Sequence, residues 1–267
     1  MTQSRQEKPK ASIFQSLITG MVAGATEVLI DHPLWTIKTR KQRKLPFTLQ
    51  PQVLYRGILP NAASMVPTTA VQVALDSSFK HVFFKDNKEL SYPQRITSAF
   101  VAGVGSALVS CPTEMILTHL GENKGSFYTV AKALTNQAGW RGLFTGLTTT
   151  AVRDGTFTPC YLAGAPILKA NIRPYFSNDY AATLASCIVA GLFSTIATQG
   201  IDTIKTTQQG SSVLKPLRIK DAAVKIYSTD GIYGFFKGGV ARGARVTSAV
   251  TIMGWVKETM DQKFSHR

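Results

Sequence analysis

Charge is missing from three long stretches of this chain: residues 57–75, 96–113 and 180–201 hold no Asp, Glu, Lys or Arg. Each is long enough, or nearly so, to cross about 30 Å of hydrocarbon as a helix. The runs are rich in Gly, Ala, Ser and Thr, which keeps the mean hydropathy near neutral and suits membrane helices packed closely around a polar interior. Buried helices of a soluble α protein are the alternative that these runs alone leave open. Cysteine is scarce, and Cys111, Cys160 and Cys187 lie far apart in apolar surroundings, which excludes a disulfide framework or a thiolate metal site. Histidine is scarcer: His32, His81, His119 and His266 show no partner at a useful spacing. With no phosphate-cradling Gly-rich loop after a strand either, no enzyme is expected. Residues 1–10 are polar and of mixed charge, so no secretory signal is expected.

Acidic residues are also few, 15 against 30 Lys and Arg in 267 residues, a formal net charge of +15. Such an excess favours an anionic partner: nucleic acid, lipid or a small substrate. The basic residues are spread along the chain, however, and no finger, recognition helix or RNA-binding motif is present, so nucleic acid is not expected.

The chain repeats itself three times. Residues 31–40 (DHPLWTIKTR), 110–119 (SCPTEMILTH) and 198–207 (TQGIDTIKTT) echo one another, with Pro33, Pro112 and Gly200 in the same slot. Each is followed by an aromatic-x-Gly unit, Tyr55-Arg56-Gly57, Phe144-Thr145-Gly146 and Phe236-Lys237-Gly238, and then by another apolar segment. The unit is helix, connector, helix, and the pattern predicts six helices over 12–40, 59–84, 93–120, 148–169, 178–208 and 240–263. Three divisions follow, 12–84, 93–171 and 176–263, behind a polar tail at 1–11. Connectors two and three predict short amphipathic helices at 131–140 and 222–233. Connector one, 45–54, is too short for a similar helix, and Pro46 and Pro51 disfavour one. A Pro or Gly near the end of a membrane helix bends the rod where neighbours or a cavity satisfy the freed backbone, so Pro33, Pro112 and Gly200 predict three helices bending toward one axis.

These segments resemble the signature of the mitochondrial carrier family: Pro-x-acid-x-x-base-x-base, a gap, then acid-Gly, an aromatic, a base and Gly. The resemblance runs in order from about residue 12 to 263. It implies an all-α membrane protein of six transmembrane helices in three pseudosymmetric repeats, multi-pass in the inner mitochondrial membrane. The termini then face the intermembrane space and the connectors face the matrix. It also implies transport by alternating access without covalent chemistry, a monomer, no cofactor, and structural cardiolipin. Carried over residue by residue, the matrix gate pairs Glu114 with Lys205 and Asp202 with Lys38, while the third pair becomes apolar as Trp35 and Leu117. Removing one partner strands a buried charge, whereas replacing both by apolar groups is nearly neutral. Gln42 and Gln209 sit where the family braces its ion pairs, and Gly121 leaves the second such position empty. Cardiolipin phosphate is expected at the free N–H groups of helix starts, near Arg56 and Gly57, near Gly146, and near Lys237 and Gly238.

The opposite gate departs from the family, whose even helices end in aromatic-acid-x-x-base. The acid slots fall on Ser77, Pro166 and Lys257, with only Lys80 and Lys169 left of the bases. Either the register is one residue off, since Asp76 and Glu258 are adjacent, or this ring of ion pairs is lost and the state open toward the termini is favoured at rest.

Ionisable residues at mid-membrane point to function. Ser64, Arg153, Asp154 and Arg245 fall at the depth of the family's substrate contacts, with Arg242 one turn from Arg245 and Glu27 nearly two turns before Pro33. A surplus of arginine forks favours a small anionic metabolite. Trp35, Pro60-Asn61 and 67–70 (PTTA) resemble carriers of nucleotides such as ATP/ADP or of nucleotide cofactors, and these head the expectations. Arg153-Asp154 resembles amino-acid or carnitine carriers. Residues 146–150 (GLTTT) with Arg242 and Arg245 resemble carriers of tricarboxylates and dicarboxylates.

Overall fold

The computed structural model describes residues 13–42, 48–55, 57–84, 90–122, 126–211 and 217–265, and among these no strand occurs. Six long helical segments form: α1 (Ile13–Gln42), α3 (Ile58–Phe83), α4 (Tyr92–Glu122), α6 (Leu147–Pro159) running through a π turn into α7 (Ala165–Ile172), α8 (Asp179–Gln209) and α10 (Gly239–Ser265). The connectors carry α2 (Pro51–Leu54), α5 (Phe127–Gly142) and α9 (Ile219–Asp230), the last followed by a 3-10 turn, Gly231–Phe236. The first connector thus has one helical turn after all. Pro51 opens it, because the first helical position needs no N–H and the ring presets φ.

Each long segment packs on the next, and α10 returns to α1, so the six close into a ring. The connectors lie at one end, hereafter the connector end, and both termini at the other, the terminal end. The ring is inverted relative to a water-soluble bundle. Glu27, Asp31, His32, Ser64, Gln72, Asp76 and Asp154 are buried, whereas Phe14, Leu29, Phe193, Ile196 and Val240 stand exposed on the outside. Only a hydrocarbon surround makes that distribution favourable. Among the described residues three helices are long and apolar enough to cross a membrane by themselves, over Ile13–Pro33, Tyr92–Leu120 and Asp179–Gln209. They are the odd spans. The uncharged run at 57–75 does not qualify, because its Asn, Ser, Thr and Gln face inward as part of the polar lumen.

Small residues set the helix spacing. A Cβ added to Gly103 on α4 would lie 2.3 Å from the Asp154 carbonyl oxygen on α6, and one on Gly191 of α8 would lie 2.7 Å from Thr247 Cα on α10. Both glycines stand nine residues before the repeat slot held by Pro112 or Gly200, so the same close contact recurs in two repeats. Each even span starts after a left-handed glycine, Gly57, Gly146 or Gly238, with φ of 86°, 80° and 80°. That conformation strains any residue with a Cβ, and it turns the chain sharply from connector into span.

The helical winding of the fourth span breaks once. Between α6 and α7, residues Cys160–Gly164 wind as a π turn, with the Ala165 N–H bonded five residues back to the Cys160 carbonyl. Pro159 and Pro166 bracket it, and neither has an N–H for the α-helical ladder, so the wider turn recovers a bond that the α geometry would lose.

Candidate functional site

The charged residues of the repeat slots meet inside the connector half of the ring. Lys205 of α8 is ion-paired to Glu114 of α4, as the resemblance implies. Arg153 of α6 joins them: its Nη2 lies 2.9 Å from Glu114 and 2.7 Å from Asp154, and its Nη1 lies 3.4 Å from Asp202 of α8. One planar guanidinium therefore ties three carboxylates on three spans, a geometry that suits Arg and not Lys. Asp154 takes a further bond from Ser110 Oγ at 2.6 Å. Arg242 of α10 lies 3.1 Å from Asp202 through Nε, and donates to Thr198 Oγ1 at 2.8 Å. The described partners of Asp202 are thus the two arginines; the side chains of Lys38, Trp35 and Gln42 lie outside the described residues, and Gly121 of the empty brace position stands near the end of α4. Leu117 is half-buried.

Gln209 is buried and donates to the Thr145 carbonyl at 3.4 Å, away from the ion pair, while its neighbour Gln208 accepts from Thr149 Oγ1 at 2.8 Å. Ser64 is buried and donates to Thr113 of α4 at 2.9 Å. Pro33 and Pro112 stand inside α1 and α4, and Gly200 inside α8. At the helix starts, Lys237 is exposed and paired with Asp230 at 3.2 Å, and Arg56 lies outside the described residues.

Arg245 differs from the other two arginines. Its side chain is 31% exposed, and its nearest acid, Glu27 of α1, is 3.9 Å away. Arg153 and Arg242 are 14% and 13% exposed and held at bonding distance. Beside Arg245, Glu27 and Asp31 are buried one helical turn apart on α1. Ser248 of α10 donates to Asp31 Oδ1 at 2.6 Å, but Glu27 Oε2 and Asp31 Oδ2 accept no hydrogen bond among the described residues. Asp31 carries no conspicuous sequence signal beyond its place before Pro33 and was absent from the expected site.

The expected excess of cations is not there. Arg153, Lys205, Arg242 and Arg245 face Glu27, Asp31, Glu114, Asp154 and Asp202, four bases against five acids, so the described site is near balance rather than positive. At the second gate, which the sequence leaves either one residue out of register or lost, ion pairs are present. At the terminal end Lys169 of α7 is ion-paired to Glu258 of α10 and, at 2.6 Å, to Asp179 of α8. Asp76 pairs with Lys80 at 2.6 Å and accepts from Ser98 of α4, and Lys257 pairs with Asp261 at 2.8 Å. The acids are present one residue away from the slots at Ser77 and Lys257, and among the described residues Lys169–Glu258 links two even spans.

A closed ring of six helices with paired charges at both ends, built from a threefold repeat, defines a membrane carrier. The family of mitochondrial carrier proteins matches residues 9–87, 88–175 and 177–267, and the chain belongs to it: a multi-pass protein of the inner mitochondrial membrane, in a family of transporters rather than enzymes. It is similar to the mitochondrial glycine transporters of Xenopus laevis, 30% identical over 282 residues that cover 94% of this chain and 91% of that protein, and of Homo sapiens, 30% identical over 290 residues covering 94% and 90%. It is also similar to mitochondrial citrate transporter A of Aspergillus niger, 26% identical over 284 residues covering 97% and 95%.

Proposed function

We propose that this carrier moves a small amino acid across the membrane by alternating access. The observation that carries the reading is Arg245 standing beside two buried carboxylates, Glu27 and Asp31, each with one oxygen that accepts no bond among the described residues. A buried carboxylate oxygen calls for a donor, and an exposed guanidinium calls for an oxyanion. A zwitterion supplies both, its carboxylate to Arg245 and its ammonium to Glu27 and Asp31. The balanced charge of the site supports it, since a species of several negative charges gains little there. So does the similarity to glycine transporters.

A nucleotide such as ATP or ADP is the second reading. Arg242 and Arg245 stand one turn apart on α10, and two forks on one face suit a polyphosphate. Purified carrier in liposomes, offered labelled glycine, other small amino acids, citrate and adenine nucleotides, separates the readings. Uptake of amino acids, blocked by unlabelled amino acid, is the expected result; uptake of nucleotides alone overturns the first reading in favour of the second.

We also propose that the carrier works as a monomer stabilised by cardiolipin, whose phosphates the N–H groups after Gly57, Gly146 and Gly238 would take with Arg56 and Lys237. A rise in melting temperature on adding cardiolipin to detergent-solubilised protein is expected, and an equal rise with a zwitterionic lipid contradicts it.

A further inference from the structure

We infer that Tyr161 is the gate at the terminal end, a plug that the π turn between α6 and α7 swings into the axis of the ring. Tyr161 is 2% exposed in the middle of a membrane protein whose lumen is polar. It belongs to one buried apolar cluster that draws on every span: Ala23 of α1, Val73 of α3, Ala99 of α4, Cys187 of α8 and Met253 of α10. A cluster fed by all six spans lies on the axis, not between two neighbours. Tyr161 also reaches past the adjacent span. Its hydroxyl donates to Gln72 Oε1 of α3 at 2.8 Å, and Gln72 Nε2 donates to Ser106 of α4 at 3.1 Å.

Its two sides face different chambers. Tyr161 lies at the inner limit of a cavity of about 350 Å³ between α7, α8 and α10, whose wall carries the paired charges Lys169, Lys257 and Glu258 of the terminal end. Asp154, in the charged site, stands seven residues earlier on the same span, about 10 Å deeper at the rise of a helix. The ring side chain thus separates the mouth cavity from the charged site. An extra residue in the turn rotates the side chains that follow relative to a regular helix, and such turns recur at functional positions. Here the rotation puts a large side chain on the axis, and its hydroxyl finds a partner only because Gln72 is there; a buried phenol without one is costly. The plug stands where, among the described residues, the family's aromatic-acid-x-x-base ring keeps the link Lys169–Glu258 between even spans, and it can withdraw, because the hydroxyl bond and the apolar contacts are each replaceable.

The test is access to the charged site. In a variant whose three native cysteines are replaced by Ala, Ser64→Cys places a thiol at the level of the site, and its labelling by a hydrophilic maleimide is timed in detergent. Tyr161→Ala should speed labelling by roughly tenfold or more, and Tyr161→Phe, which keeps the ring and removes only the bond to Gln72, by roughly fivefold, with the melting temperature of the Phe variant close to that of its parent. If the Ala variant fails to fold, Tyr161→Leu, which removes the ring but keeps apolar bulk, takes its place in deciding the gate. Unchanged labelling in a folded Tyr161→Phe overturns the latch to Gln72, and unchanged labelling in a folded Tyr161→Ala overturns the gate.

Discussion

Lys205 on α8 and Glu114 on α4, 91 residues apart in sequence, form an ion pair across the connector end of the ring. Arg153 binds the same carboxylate from a third span, so the pair is the centre of a knot rather than an isolated bridge. The knot closes one end with charge, while Tyr161 closes the other with an aromatic side chain. Alternating access then requires two unlike locks to open in turn.

Glu114→Gln leaves Lys205 and Arg153 short of a carboxylate in a mostly buried place. Removing one partner of such a pair costs about 3 kcal/mol or more, and the melting temperature in detergent should fall accordingly. Glu114→Leu combined with Lys205→Leu should lose less than the two single changes added together, since no uncompensated charge remains. Strict additivity contradicts the coupling.

Gly103→Ala and Gly200→Ala should behave oppositely. The first drives a Cβ into the Asp154 carbonyl at 2.3 Å, whereas nothing lies within 4 Å of a Cβ at Gly200. Overpacking against backbone costs about 1–3 kcal/mol, while Ala in place of an unconstrained helical Gly adds up to about 1 kcal/mol. Thermal unfolding of both variants is the check; equal losses sink the close contact at Gly103.

With the terminal end shut by Tyr161 and by Lys169–Glu258, the empty carrier should cycle slowly. Liposomes preloaded with substrate should therefore take up label much faster than empty ones, contrary to the leak that a missing ring implies. Glu258→Gln should raise uptake into empty liposomes only slightly, because a partly exposed pair contributes at most about 1 kcal/mol, and by less than Tyr161→Ala does. Comparable uptake by empty and preloaded liposomes of the unaltered protein contradicts this.

Six helices and a threefold order were legible because lipid imposes a simple rule: runs without charge, and one Pro or Gly at each repeat slot. The pairing of Glu114 with Lys205 was implied by the family resemblance that the repeat carries. What the linear pattern could not carry was the threefold grip of Arg153, since a guanidinium's reach to Glu114 and Asp202 depends on how three spans are spaced by residues such as Gly103. Arg153 and Asp154 read instead as substrate contacts at the depth of the family's site. The π turn had a signal, Pro159 and Pro166 seven residues apart, but the consequence for Tyr161 needed the geometry of the turn. Asp76 and Glu258 stand one residue off the family's slots, and each has a basic partner there, Lys80 on its own helix and Lys169 on another span. The surplus of positive charge was misjudged because Asp31 reads as part of the Pro33 segment and only the fold sets it beside Arg245.

The most direct measurement is uptake of labelled amino acid into liposomes by Arg245→Ala, with Arg245→Lys beside it. Arg245 is partly exposed and holds Glu27 at only 3.9 Å, so the fold should survive either change with a similar melting temperature. Loss of a charge-assisted fork to the substrate carboxylate should cut uptake at least roughly tenfold in the Ala variant, with partial recovery in the Lys variant, which keeps the charge but not the fork. Uptake unchanged in a folded Arg245→Ala contradicts the account, because no anionic group of the substrate would then rest on Arg245.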